Sequence, residues 1–246
     1  MPMKNQLPLF LNTLLLLYLI CLPGCNINDR ITVLDSPEGK NKYEQGDYEG
    51  AVEEYTKFIA KYPNEQNGYF YRASSQFQLG NYSEAIDDYT KVIEINKKNT
   101  LAYNSRGICK YKIADLDGAL SDFNTVISIN PNDAEAYNNR GFIFAAKGDY
   151  EHANADYDQA ISLFSNYALA YYNRAESKTS LKDYPGAVED LSMVIKLNPD
   201  YGENYFLRGN LYLKLSLIDS ACADWNRALE RGYSEATAKI KKNCSN

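Results

Sequence analysis

Residues 32–235 repeat with a period of 34, and no insertion breaks the register. Blocks beginning at residues 32, 66, 100, 134, 168 and 202 place Ala51, Ala85, Ala119, Ala153, Ala187 and Ala221 at one and the same twentieth position. Six alanines in one chosen column arise by chance on the order of once in a million. A period of this length constrains the fold more than any local pattern. Each unit is too small to bury its own apolar face, so successive units must stack into an open-ended array.

The other columns say what the unit is. Small residues hold the eighth position: Gly39, Ala73, Gly107, Gly141, Ala175 and Gly209. Large ones stand beside them, with Tyr69, Tyr103, Tyr137, Tyr171 and Tyr205 at the fourth position, and Tyr55, Tyr89, Phe123, Tyr157, Leu191 and Trp225 at the twenty-fourth. Small and large side chains in fixed alternation are what two closely packed helices need. Between the segments fall Gly46-Asp47, Gly80-Asn81 and Gly148-Asp149, a left-handed helix stop followed by a start for the next helix. Pro63, Pro131 and Pro199 close alternate blocks. The unit is therefore helix A, turn, helix B, stop.

This order of aromatic, small, alanine, aromatic and proline positions resembles the tetratricopeptide repeat, over 204 of the 246 residues. The resemblance implies an all-α fold, a right-handed superhelical solenoid of six repeats at 32–65, 66–99, 100–133, 134–167, 168–201 and 202–235. It also implies a solvating cap helix at the C-terminal end, expected from about Ser234 to Cys244 within residues 234–246. Two departures stand out. The eleventh position, aromatic in the family, holds Lys42, Gln76, Lys110 and Lys178 in four blocks, which suggests altered packing between neighbouring A helices. The first block has Asp35 at its fourth position, and Ser36-Pro37 predicts a late start with a serine cap, the wear expected of an end repeat.

A charged recurrence runs through the same frame. Arg72, Arg106, Arg140, Arg174 and Arg208 occupy the seventh position, and Asp88, Asp122, Asp156, Asp190 and Asp224 follow sixteen residues later. The arginines could form a stripe for an anionic ligand, or they could pair with the aspartates and align the two helices. Matching carboxylates favour structural pairing, since a free stripe would not need them.

The N-terminal stretch MPMKNQLPLFLNTLLLLYLICLPGC has one early positive charge at Lys4 and an apolar run that ends before Cys25, which is the pattern of a secretory signal. The run from Leu9 to Leu22 would span about 21 Å as a helix, against a hydrocarbon core of about 30 Å. Its end, Leu22-Pro23-Gly24-Cys25, resembles the bacterial lipobox, which implies a signal peptide over residues 1–24, a lipid on Cys25 and a tether over residues 25–35. Cys21 is the competing site, but the bulky Ile20 precedes it. An uncleaved anchor or a plain signal peptide would equally carry the chain across the inner membrane. The expected place is therefore the bacterial cell envelope, facing the periplasm or the outside.

In such a compartment cysteines can pair. Cys222 holds the twenty-first position and should face the following helix, which carries Cys244, so the two are either bridged or buried as thiols. Cys109 is expected in the core.

Chemistry finds little footing. The single histidine, His152, sits at an outward position, and no metal-ligand spacing, phosphate loop, nucleophile elbow or dinucleotide fingerprint occurs. Paired acids such as Asp87-Asp88 and Glu53-Glu54 fit a solvated helix face. A net charge of −6 with no basic run argues against nucleic acid. The expectation is a non-enzymatic scaffold without metal or cofactor.

In the resembled family, ligands lie along the concave wall of the A helices. Position by position, that wall carries Phe70, Tyr71, Asn104, Ser105, Asn138, Asn139, Tyr172, Asn173 and Phe206. Amides can hydrogen-bond a peptide backbone without reading its sequence, and aromatic rings add rigid contact area. No block has the lysine and asparagine pair used by chaperone-binding relatives to clamp a terminal carboxylate. Two partners fit: an extended protein segment held by an adaptor that gathers envelope proteins, or a glycan such as peptidoglycan.

Overall fold

The computed structural model describes residues 35–244, and the expectations for the signal peptide and for Cys25 lie outside them. The described residues form thirteen α-helices: α1 (Pro37–Glu44), α2 (Tyr48–Lys61), α3 (Gln66–Gln78), α4 (Tyr82–Ile95), α5 (Thr100–Lys112), α6 (Leu116–Ile129), α7 (Ala134–Ala146), α8 (Tyr150–Leu163), α9 (Ala168–Ser180), α10 (Tyr184–Leu197), α11 (Gly202–Lys214), α12 (Ile218–Glu230) and α13 (Ala236–Asn243). Odd-numbered helices up to α11 are the A helices and the even-numbered ones the B helices. Each B helix packs on its own A helix and on the A helix of the next repeat, the arrangement of an α-solenoid.

Thirteen or fourteen residues make a helix that is marginal in isolation, so the columns of small and large residues carry the stability. The six alanines of the twentieth position are all fully buried. Opposite them the twenty-fourth-position rings rest on the eighth-position glycines: a Cβ placed on Gly141 would come within 2.9 Å of the Tyr157 ring, and one on Gly209 within 2.7 Å of the Trp225 indole. Trp225, Tyr157 and Tyr55 are among the largest fully buried side chains. Cys109 lies in the apolar cluster with Ala85, Tyr89 and Val92, and burial pushes its thiol up to about 12.

The turn between A and B helices uses the same backbone every time. Its fifteenth residue is left-handed in all six repeats, with φ of 80°, 81° and 82° at Gly46, Gly80 and Gly148, and of 66°, 64° and 61° at Ala114, Lys182 and Ser216. The next residue caps the B helix: Asp47, Asp115, Asp149 and Asp183 each accept a hydrogen bond from the amide three residues on. A side chain in the left-handed region costs roughly 1–2 kcal/mol, against about 0.5–1 kcal/mol for the entropy that glycine loses on folding. Ser216 is exposed and its side chain makes no hydrogen bond among the described residues. Ser216→Gly is accordingly expected to stabilise by about 0.5–1 kcal/mol, read as a raised denaturant midpoint; a lowered midpoint contradicts the strain argument.

Both ends depart from the repeat. Helix α1 is short, with Ser36 as its N-cap accepting from the Gly39 amide and Pro37 at its first position. At the other end α13 takes the place of a seventh A helix, spanning Ala236–Asn243 within the stretch expected from 234 to 244. Ala236 and Ile240 pack with Trp225 and Ala228, closing the apolar side of α12.

Candidate functional site

Each recurring arginine ties three elements together. Its Nε and Nη2 donate to both carboxylate oxygens of the aspartate sixteen residues on, at 2.5–2.9 Å in all five pairs. Nη1 turns the other way and donates to the preceding B helix, reaching Thr56, Thr90, Asn124, Asp158 and Ser192 in turn. The guanidinium lies over the fourth-position tyrosine of its own helix, 5.4–5.9 Å from the ring centroid. The aspartates Asp88, Asp122, Asp156, Asp190 and Asp224 are buried. With their donors pointed at protein acceptors, the arginines form a frame rather than an open anion stripe.

The eleventh-position lysines belong to this frame. Lys110 reaches Asp122 at 2.8 Å and Lys178 reaches Asp190 at 2.9 Å, while Lys42 lies 3.6 Å from Glu54. These ion pairs run within repeats, from A helix to B helix, and Gln76 instead accepts a hydrogen bond from Asn81.

The structure divides the nine wall residues into two groups. Asn138 and Asn173 are buried, with 2% and 8% of their surface exposed, and Asn173 donates to Asn138 at 3.0 Å. Asn138 in turn donates to Asn139 at 3.4 Å, Asn139 to Asn104 at 3.0 Å, and Asn104 to Glu135 at 3.1 Å. This amide chain links α5, α7 and α9, so Asn138 and Asn173 serve their neighbours instead of reading a ligand. They correct the expectation of an open amide wall at these two positions, where each amide is turned into the seam between neighbouring A helices. Ser105, like Asn104 and Asn139, is half-buried.

The aromatic wall residues form a second group. Phe70 meets Tyr71 edge-on at 5.7 Å and Tyr89 at 5.5 Å, and Tyr71 stacks on Tyr55 at 5.5 Å. Phe206 meets Tyr233 at 5.0 Å, a residue of the linker to α13 that sequence reasoning did not place on the wall. Burial and the charges of Glu176 and Glu203 push the Tyr172 hydroxyl well above the ordinary tyrosine range. Three wall carboxylates were also missed in the sequence. Burial pushes Glu135 up while the amides of Asn104 and Asn139 pull it back, and desolvation together with the neighbouring Glu203 pushes Glu176 up.

On the B-helix side, a shallow depression is lined by Asp117, Ser121, Asn124 and Thr125, side chains already engaged within the solenoid. Asn124 accepts from Arg140, and Asp117 pairs with Lys147. His152 is exposed and hydrogen-bonded to Asp149. Cys222 and Cys244 are joined in a disulfide with Cα atoms 5.7 Å apart, which fixes α13 to α12. The structure thus brings together the pair that the sequence left open.

Tetratricopeptide repeat models match residues 37–99, 134–167 and 169–201, and a TPR repeat model matches residues 110–148. Curated protein sequences offer no match. Among solved structures, the C-terminal part of a TPR repeat-containing protein from Cytophaga hutchinsonii superposes with a TM-score of 0.69 at 18% identity, over 85% of this chain and 83% of that one. A tetratricopeptide repeat protein from Parabacteroides merdae gives 0.62 at 21% identity, over 84% and 82%. YrrB, described as a TPR protein with an unusual peptide-binding site, gives 0.61 at 15% identity, over 76% and 97%. Repeat register, helix pairing and these matches agree: the chain belongs to the tetratricopeptide repeat family.

Proposed function

We propose that the chain is a non-enzymatic scaffold, anchored to a membrane of the bacterial cell envelope through a lipid on Cys25, that binds an extended protein segment along its A-helix wall. The observation that carries this reading is the run of aromatic rings along that wall, Phe70 with Tyr71 at one end and Tyr172 with Phe206 at the other. Rings give large contact area at low entropic cost, which suits a partner held by shape more than by sequence. The tied arginine frame supports the reading from the other side, because it keeps the wall's shape fixed while the partner binds. A related fold with a peptide-binding site, that of YrrB, agrees with a peptide ligand.

The test is a pull-down from solubilised envelope with the tagged chain as bait. Wild type is expected to retain a defined partner that Tyr172→Ala loses at a temperature where both proteins remain folded, and Cys25→Ser is expected to move from the membrane to the soluble fraction. Saturable glycan binding that disappears in Tyr172→Ala would instead make this wall a sugar site, and a Cys25→Ser form that still carries fatty-acid label would remove the anchor.

A further inference from the structure

Three helix ends meet at one edge of the last repeat. They are the C-terminal end of α11, the N-terminal end of α12 and the C-terminal end of α13, which runs back along α12 and is pinned to it by the bond between Cys222 and Cys244. The turn between α11 and α12 departs from its counterparts in the other repeats. Where those have Asp47, Asn81, Asp115, Asp149 and Asp183 as N-caps, this one has Leu217, and α12 starts without a side-chain cap. Leu217 is 49% exposed and Ile218 is 40% exposed, and neither joins an apolar cluster of the described residues. The solenoid forgoes a cap here and shows solvent two large apolar side chains instead.

The same corner is positively charged. Lys214 ends α11, and Lys241 and Lys242 lie in the last turn of α13; all three are exposed, and none forms an ion pair among the described residues. Residues 236–246 contain no acidic residue, and between Leu213 and Cys222 Asp219 is the only one. Elsewhere along this edge the caps are mostly carboxylates, joined by Glu49, Asp117 and Glu151 in the first turns of their B helices. Apolar side chains beside lysines thus occur together at the sixth repeat, held there by the bridge.

We infer that this corner is a bilayer contact, in which Leu217 and Ile218 enter the interface of an anionic leaflet while Lys214, Lys241 and Lys242 meet its phosphate groups. Lysine suits that place because its stem lies along apolar surface while its ammonium stays with the headgroups. A second copy fits less well, since two such corners would set lysines against lysines. The carboxylate caps of the other repeats are repelled by the same leaflet, so the contact stays with the sixth repeat. The inference takes from the proposed lipid anchor only that a bilayer is near. Two exposed apolar side chains and a few cations bind reversibly, so the contact orients the anchored chain without holding it on the membrane by itself.

The described residues fall in one compact unit. The chain from Asn26 onward, made with its disulfide and without leader or lipid, therefore serves for flotation with vesicles of phosphatidylcholine, alone or mixed with phosphatidylglycerol. Wild type is expected to float with the mixed vesicles, less so as salt rises, and not with phosphatidylcholine alone. Leu217→Asp is expected to bind the mixed vesicles about tenfold more weakly, since it withdraws an apolar side chain and adds a repelled charge. It also restores the cap of the other repeats, so its melting temperature should hold or rise, which separates lost binding from lost folding. Lys241→Gln and Lys242→Gln should each weaken binding about fivefold, while Lys98→Gln, exposed in the turn after α4, changes nothing. No binding to mixed vesicles, equal binding to both vesicle types, or equal binding by wild type and Leu217→Asp overturns the contact. A wild-type dimer in sedimentation that Leu217→Asp dissolves overturns it too, and gives the corner to a second copy. None of these outcomes bears on the lipid anchor, which the Cys25→Ser fractionation reads separately.

Discussion

Arg140→Ala is expected to lower the stability of the chain by roughly 3–5 kcal/mol, the range for a buried ion pair that loses one partner. The arginine joins α7 to Asp156 on α8 through two hydrogen bonds of 2.8 and 2.7 Å, and to Asn124 on α6 through a third of 2.7 Å. Alanine leaves the Asp156 carboxylate, only 8% exposed at its side chain, buried without its counter-charge. That desolvated charge accounts for most of the loss, which is why the expected figure exceeds that of a surface ion pair. Arg140→Lys should recover part of it, since an ammonium restores the counter-charge but lacks the planar fork that makes three hydrogen bonds to Asp156 and Asn124.

The position of Arg140 shapes how the loss shows itself. Stability in a repeat array is close to a sum of unit terms and nearest-neighbour terms. The bond to Asn124 crosses from the third repeat to the fourth, so its removal weakens the coupling between the two halves. Denaturant unfolding of Arg140→Ala is therefore expected to broaden or split into two steps, with a lower midpoint. Below that midpoint, partner binding should match wild type, because the guanidinium is turned into the frame and away from the wall. Unchanged melting with lost binding would return the arginines to the ligand site.

The frame was only partly legible in the sequence, for a physical reason. The arginine and aspartate recur as the same letters at a constant spacing of sixteen, because a bidentate pair tolerates no substitute. The third partner accepts one hydrogen bond, which threonine, asparagine, aspartate or serine can all do, so Thr56, Thr90, Asn124, Asp158 and Ser192 hide a fixed role behind changing letters. The lysine at position eleven left a fainter mark. Lys42, Lys110 and Lys178 each stand twelve residues before an acidic residue, at Glu54, Asp122 and Asp190, and that spacing is the signal that was there to use.

The turns show the same contrast. Glycine announces a left-handed residue in three repeats, but Ala114, Lys182 and Ser216 adopt the same backbone because the hydrogen bonds around the turn fix it. The wall was the least legible part. Carrying nine positions over from a family pattern treats the A helices as one flat face, and it cannot tell which amides meet across a seam. Asn138 and Asn173 meet there, and Tyr233 joins the wall from a linker that lies outside the repeat altogether. What carries over from sequence is the frame that all repeats must share; what does not is the surface on which each repeat is free to differ.

Breaking the disulfide is expected to release the cap and to weaken the C-terminal end by about 3 kcal/mol, the chain-entropy value for a loop of this size. Cys222 and Cys244 are separated by 22 residues. Helix α13 has eight residues and no side-chain hydrogen bond at its N-cap, so it cannot persist by itself and depends on Ala236, Ile240 and the bridge. Because the array is stabilised by neighbours, the loss should stay local: α13 and the end of α12 open while α3 to α10 keep their hydrogen bonds. The chain contains one tryptophan, Trp225, fully buried in the cluster that the cap closes. Reduction, or Cys244→Ser, should therefore shift its emission to the red and let trypsin cleave the unwound backbone after Lys239, Lys241 and Lys242, with little change in total helix signal. Since Tyr233 leads into the cap and rests on Phe206, the same treatment should weaken peptide binding at that end of the wall while the Phe70 and Tyr71 end is unaffected. Emission and cleavage that do not change on full reduction would mean that packing alone holds the cap, and that the bridge adds nothing to the closure of the solenoid.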